Sequence, residues 1–150
     1  MFRIAVGLVV GILAAGSVQA QQATPPAQQA AAAPTTRVFA NDAGLVLNFI
    51  KPDKTADFEA VMAKLKEALE KSEKPERKQQ AAGWHVFKSA DPAGANVLYV
   101  FVIDPAVKGA DYQVSNIIAE AFPAEANELL KKYGEAYAQG MNILNLTLLK

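Results

Sequence analysis

The chain has 150 residues, with 15 basic and 15 acidic side chains, one His and no Cys. That balance lacks the basic stripe of a nucleic-acid binder. The missing thiol excludes cysteine nucleophiles, disulfides and Cys-ligated zinc or iron–sulfur centres.

Residues 1–20 read as a secretory signal. Arg3 supplies the positive start, IAVGLVVGILAAG the apolar stretch, and Val18 and Ala20 the small residues at a cleavage site. The apolar stretch is shorter than the roughly 20 residues that span a bilayer. The expectation is a cleaved signal, a periplasmic or secreted product, and no membrane attachment after cleavage. The segment 21–39 opens with residues 21–36, QQATPPAQQAAAAPTT, which hold no charge and no large apolar group. Such a stretch buries too little surface to offset its ordering entropy, so a disordered tether is expected there. The folded domain is then residues 40–150.

Within it, GLVLNFI (residues 44–50) is an apolar run of strand length, stopped by KPDK. Thr55 is placed to cap the helix that follows, with Asp57 and Glu59 in a first turn that favours negative charge. Phe58, Val61, Met62, Leu65, Ala68 and Leu69 recur at three- and four-residue spacing and form one apolar stripe. Glu67 and Lys71 stand four apart on its wet side. Pro75 opens one short extra turn. Gly83 precedes WHVFKS, the second strand, and ADPAGAN turns the chain back into VLYVFVI, which Asp104-Pro105 ends. Asp111 is placed to cap a second helix with the stripe Val114, Ile117, Ile118, Ala121 and Phe122. Pro123 lacks a backbone donor, so a kink is expected there before Ala126, Leu129, Leu130, Tyr133 and Tyr137 continue the stripe to Gly140. NILNLTLL, residues 142–149, is the last strand.

The order βαββαβ predicts an α+β, ferredoxin-like domain. Its sheet would be four-stranded and antiparallel, in order 4-1-3-2, with two helices on one face and the second helix kinked at Pro123. Strands one and three are then central, and both are apolar on both faces. A lone sheet with one wet face would alternate instead. If Leu45, Leu47, Phe49, Leu98, Val100 and Val102 meet the helices, the outward set is Val46, Asn48, Ile50, Val97, Tyr99, Phe101 and Ile103. Two adjacent strands would then expose about six large apolar groups, a patch that needs a cover. The simplest cover is the same face of a second copy, a two-fold homodimer.

The element order, AAGWHVF entering an edge strand, and the doubly apolar strands resemble the dimeric α/β-barrel superfamily, whose ferredoxin-like sheets pair face to face. The resemblance covers roughly residues 43–150. VLYVFVIDPAVKGADY followed by EAFPAE is also similar to small secreted bacterial proteins of uncharacterised role. The superfamily includes cofactor-free monooxygenases and haem-handling enzymes, and its haem-degrading branch uses an Asn, a Trp and a His. Asn48, Trp84 and His85 invite that comparison. The branch carries its haem-ligating His on the second helix, whereas residues 111–139 here contain no His. Those roles are therefore not carried over.

Among single residues, His85 is the only side chain that titrates near neutrality unaided, and it lacks partners for metal binding or base catalysis. Strand alternation puts Trp84 and His85 on opposite faces. Asn48 is the anomaly, an amide inside an apolar central strand that must find hydrogen-bond partners in a pocket or at an interface. Tyr99 and Phe101 alternate as in RNA-binding sheets, but without the basic pattern those carry. No phosphate loop and no Ser–His–Asp arrangement is present. The reading is a non-catalytic domain that needs no cofactor and no metal. It would bind a small apolar ligand or a protein partner, with Asn48, Tyr99, Phe101, Trp84 and His85 as candidate ligand contacts. The alternative is a cofactor-free monooxygenase or haem-handling enzyme.

Overall fold

The computed structural model describes residues 36–149. The signal segment and most of the expected tether lie outside the described residues. The fold is α+β, with a four-stranded antiparallel sheet in the order β2-β3-β1-β4. The strands are β1 Ala43–Ile50, β2 Trp84–Lys88, β3 Val97–Ile103 and β4 Asn142–Leu146. The helices are α1 Thr55–Lys71, α2 Pro75–Gly83, α3 Val114–Ala121 and α4 Ala126–Ala136. No helix among the described residues is long and apolar enough to cross a membrane.

The described residues hold four α-helices where two were expected, for two local reasons. Pro75 starts a full helix of 9 residues, not a single turn, because its fixed φ suits a first helical position. Pro123 breaks the expected second helix instead of kinking it. It has no amide hydrogen, and it pushes Phe122 out of helical geometry, to φ −130 and ψ 61. Thr55 does not cap α1. A 3-10 turn over Pro52–Lys54 leads straight into the helix, so Thr55 is already its first residue and Lys54 takes the cap position. Asp111 serves α3 from outside the cap position, its Oδ1 accepting the Gln113 amide at 2.8 Å. α4 stops at Ala136, short of Gly140, because Tyr137 turns extended and bridges Ile50 at the end of β1. The last strand ends at Leu146, not at 149.

Residue pairing fixes the two faces of the sheet. Val46, Asn48 and Ile50 of β1 share a face with Tyr99, Phe101 and Ile103 of β3 and with Trp84 of β2. All of them are buried. The core joins this face to the whole predicted α1 stripe and to Val114, Ile117, Ile118, Leu129 and Tyr133. Phe58 of α1 lies at its centre, its ring 4.7 Å from Tyr99, 6.3 Å from Phe101 and 6.0 Å from Tyr133. The structure takes the phase opposite to the one considered from sequence: Leu45, Leu47 and Phe49 face away from the helices. This phase puts the large rings of Phe101 and Tyr99 against Phe58 of α1 and gives Asn48 its hydrogen-bond partners on the same side.

The domain also begins earlier than expected. Phe39, assigned to the tether, is 1 % exposed and packs edge-on against Tyr112 at 5.3 Å. The Asp111 carboxylate accepts the Arg37 amide at 2.8 Å, and the Tyr112 amide donates to the Arg37 carbonyl at 2.6 Å. Burial pushes the Asp111 carboxyl upward, but hydrogen bonds from Asn116, Arg37 and Gln113 together hold it below its ordinary value. A depressed carboxyl stabilises the fold above its unfolded pKa, and the gain is lost as pH falls through the folded one. Asp111→Ala is therefore expected to lower stability at neutral pH by about 1–3 kcal/mol. It should also give a shallower loss on acidification below the ordinary carboxylate range, read by urea titration at stepped pH. Gly83 lies where β2 meets the Asp104-Pro105 turn, and an added Cβ would sit 2.7 Å from the Pro105 carbonyl oxygen. Backbone cannot give way as a side chain does. Gly83→Ala is expected to cost roughly 1–3 kcal/mol in the same titration.

Candidate functional site

β2 is an edge strand, and α1 overhangs it. Between them runs a half-open groove of about 710 Å³. Its inner wall is the α1 stripe, Met62, Leu65 and Leu69, joined by Ala81 of α2. Its other wall is β2 from Trp84 to Lys88, with Tyr99 behind it. That size is typical of small-molecule sites. The groove gathers Trp84 and Tyr99 of the five residues nominated from sequence; His85 borders it along the β2 wall, with its side chain on the opposite face of the sheet. Phe101 is fully buried beneath Phe58 and does not line it.

Asn48 is not part of the groove either. It is 0 % exposed, and each of its polar atoms has a partner. Nδ2 donates to the Val46 and Tyr99 carbonyls, both at 3.2 Å, and Oδ1 accepts the Tyr137 hydroxyl at 2.8 Å. The Tyr137 and Tyr133 hydroxyls are 2.6 Å apart. Burial raises the pKa of both phenols well above the ordinary range, so they stay neutral hydrogen-bonding groups. Asn48 thus ties β1 to β3 and to the end of α4, the structural role weighed for it.

One end of the groove is polar. The Tyr99 hydroxyl donates to Glu59 Oε1, and Lys88 Nζ approaches the same oxygen at 3.0 Å. Lys88 also lies 5.5 Å from the Tyr99 ring centroid. The bond from Tyr99, then that from Lys88, lowers the Glu59 pKa. Burial first, and the bond to Glu59 second, raises that of Tyr99. At neutral pH this end is therefore a carboxylate, an ammonium and a neutral phenol. The opposite end is apolar and holds Trp84, whose ring packs 5.6 Å from Phe101 and 5.4 Å from Tyr112. Its Nε1–H is buried without an acceptor, a state that costs about 1–3 kcal/mol.

Glu59 was read from sequence only as a first-turn acid. Its partners stand 29 and 40 residues away, so no local spacing signals the cluster. A second, smaller hollow of about 480 Å³ lies among α1, α2 and α3 around Arg77. Arg77 is 6 % exposed. It donates to Gln80 Oε1 and the Asp111 carbonyl, both at 2.7 Å, and to Glu120 at 3.3 Å. These bonds hold the start of α2 against the α3 entry, which is architecture.

Compared with models of protein families, with curated proteins and with solved structures, the chain matches none.

The Asn48 network gives a direct test. Tyr137→Phe strands the Asn48 carbonyl oxygen and is expected to cost about 1–2 kcal/mol; Asn48→Ala, which also leaves a cavity, should cost more. The two losses should fall short of additive in the double variant, because they remove one shared bond. Urea midpoints at constant slope check this.

Proposed function

We propose that the protein is an exported, non-catalytic binding domain of ferredoxin-like topology. It works as a homodimer joined through its open sheet face and leaves the helix side to hold a small apolar ligand. Central strands β1 and β3 flanked by β2 and β4, all antiparallel, support the ferredoxin-like reading. The signal-like residues 1–20 support export to the periplasm or beyond.

The observation that carries the dimer is the open face itself. Leu45, Leu47 and Phe49 stand beside Leu98, Val100 and Val102 in the centre, with Phe87 on one edge and Leu144 and Leu146 on the other. Phe87 is 56 % exposed and Leu144 46 %. Four strands spaced by about 4.8 Å, rising about 3.3 Å per residue, make this face roughly 400 Å² in projection. That is within the size of the largest apolar patch on many monomers, about 300–600 Å², so the reading rests on its composition as well as its area. His85 and Asn142 are its only polar side chains from the paired positions, and no Lys, Arg, Asp or Glu lies among them. A second copy therefore meets no like charge, and charge is depleted as in interface centres. A two-fold axis parallel to the strands sets β2 of one copy opposite β4 of the other, so Phe87 meets the leucine edge. Weighing against the monooxygenase or haem-handling alternative is Asn48, which is wholly buried and spends both amide hydrogens on backbone carbonyls.

Native mass spectrometry of the exported protein should give a dimer of chains that begin at Gln21. Leu47→Lys and Val100→Lys, each on the open face, should give folded monomers with unchanged far-ultraviolet dichroism. A wild-type monomer at micromolar concentration would overturn the assembly.

A further inference from the structure

We propose that the groove between α1 and β2 binds an uncharged, elongated, largely apolar molecule bearing one hydroxyl at its end, with that hydroxyl held by Glu59 and Lys88. The proposal deepens the binding-domain reading and rests on its ligand arm, not on the dimer.

Length, width and polarity all point to this class. β2 contributes five residues, about 17 Å of strand. α1 lines the groove from Glu59 to Glu70, about 16 Å of helix. The two walls therefore run together for their whole length. Dividing about 710 Å³ by that length leaves a cross-section of roughly 40 Å², room for a flat ring system. The walls run antiparallel: Glu59 pairs with Lys88, so Leu69 and Ala81 close the far end near Trp84. One end is thus polar and the other apolar, which orients an amphipathic guest.

The charge at the polar end selects the head group. Glu59 and Lys88 neutralise each other, and both known bonds to Glu59 use Oε1. Its Oε2 remains an acceptor, and the Lys88 ammonium has further donors. A hydroxyl can donate to the first and accept from the second. A carboxylate head would meet Glu59 and an ammonium head would meet Lys88, each a like-charge contact. Charges further along the rim, Lys66 and Glu70, also cancel.

Three probes that share one body test the head-group rule: 2-naphthol, naphthalene-2-carboxylate and 2-naphthylmethylamine at neutral pH. Trp84 is the only Trp, so its indole N–H gives a single resonance at the apolar end of the groove. 2-Naphthol should shift that resonance saturably and bind about fivefold more tightly than either charged probe, the worth of one half-exposed charge contact. Glu59→Gln should turn the preference toward the carboxylate and Lys88→Gln toward the amine, a reversal that mere structural damage would not produce. Ala63 is an exposed groove residue. Ala63→Trp should therefore block binding while far-ultraviolet dichroism and the oligomeric state stay unchanged. Binding that survives Ala63→Trp, or no saturable shift with 2-naphthol, would overturn the site. A charged probe preferred by the wild type would overturn the ligand class. A wild-type monomer that still binds 2-naphthol would sink the dimer and leave this site standing.

Discussion

The sheet depends on where one amide can be satisfied. Asn48 stands in the middle of a central strand, and a buried amide without partners is costly. On the helix side it reaches two carbonyls and a tyrosine hydroxyl, so both donors and the oxygen are satisfied. Strand side chains alternate with a period of two, so the face given to Asn48 settles the face of every other residue in β1. Pairing then carries the same choice into β3, where Tyr99 lies opposite Asn48, and on to β2, where Lys88 lies opposite Tyr99. The polar end of the groove and the apolar open face both follow from that single phase.

Much of the chain was legible because its signals are local. The α1 stripe Phe58, Val61, Met62, Leu65, Ala68 and Leu69 is buried as its spacing requires. The central strands announce themselves by unbroken β-branched and aromatic runs. The interruption at Pro123 is visible because proline always removes a donor, although whether it bends or breaks a helix depends on what packs beyond it. The phase of β1 and β3 was not legible, because both faces of both strands are apolar and periodicity has nothing to distinguish. Tertiary packing decides it, through rings that meet Phe58.

The same limit explains the misplaced site residues. Asn48 and Phe101 attract notice by type and position, yet the phase that buries them also keeps them out of the groove between α1 and β2. Glu59 attracts none, since an acid in the first turn of a helix has an ordinary explanation. Only the crossing of α1 over the β2 edge brings it to Tyr99 and Lys88. Phe39 fails for another reason. A single aromatic after a long uncharged stretch looks like the end of a tether, and its docking depends on Tyr112, 73 residues later in the chain.

β2 joins the two proposed surfaces. Trp84 and Lys88 point to the helix side, and His85 and Phe87 to the open side, so one five-residue strand serves both. Its outer edge has no neighbouring strand among the described residues, and Phe87 lies more than half exposed. An edge strand held on one side only is the least constrained part of a sheet. If a second copy covers His85 and Phe87, it also steadies the wall against which a ligand would lie. Assembly would then strengthen ligand binding by reducing the ordering cost at β2, without contributing a side chain to the groove. By reciprocity a bound ligand would tighten the dimer by the same factor. Coupling of this kind needs no moving part other than the strand that holds Trp84 and His85 back to back.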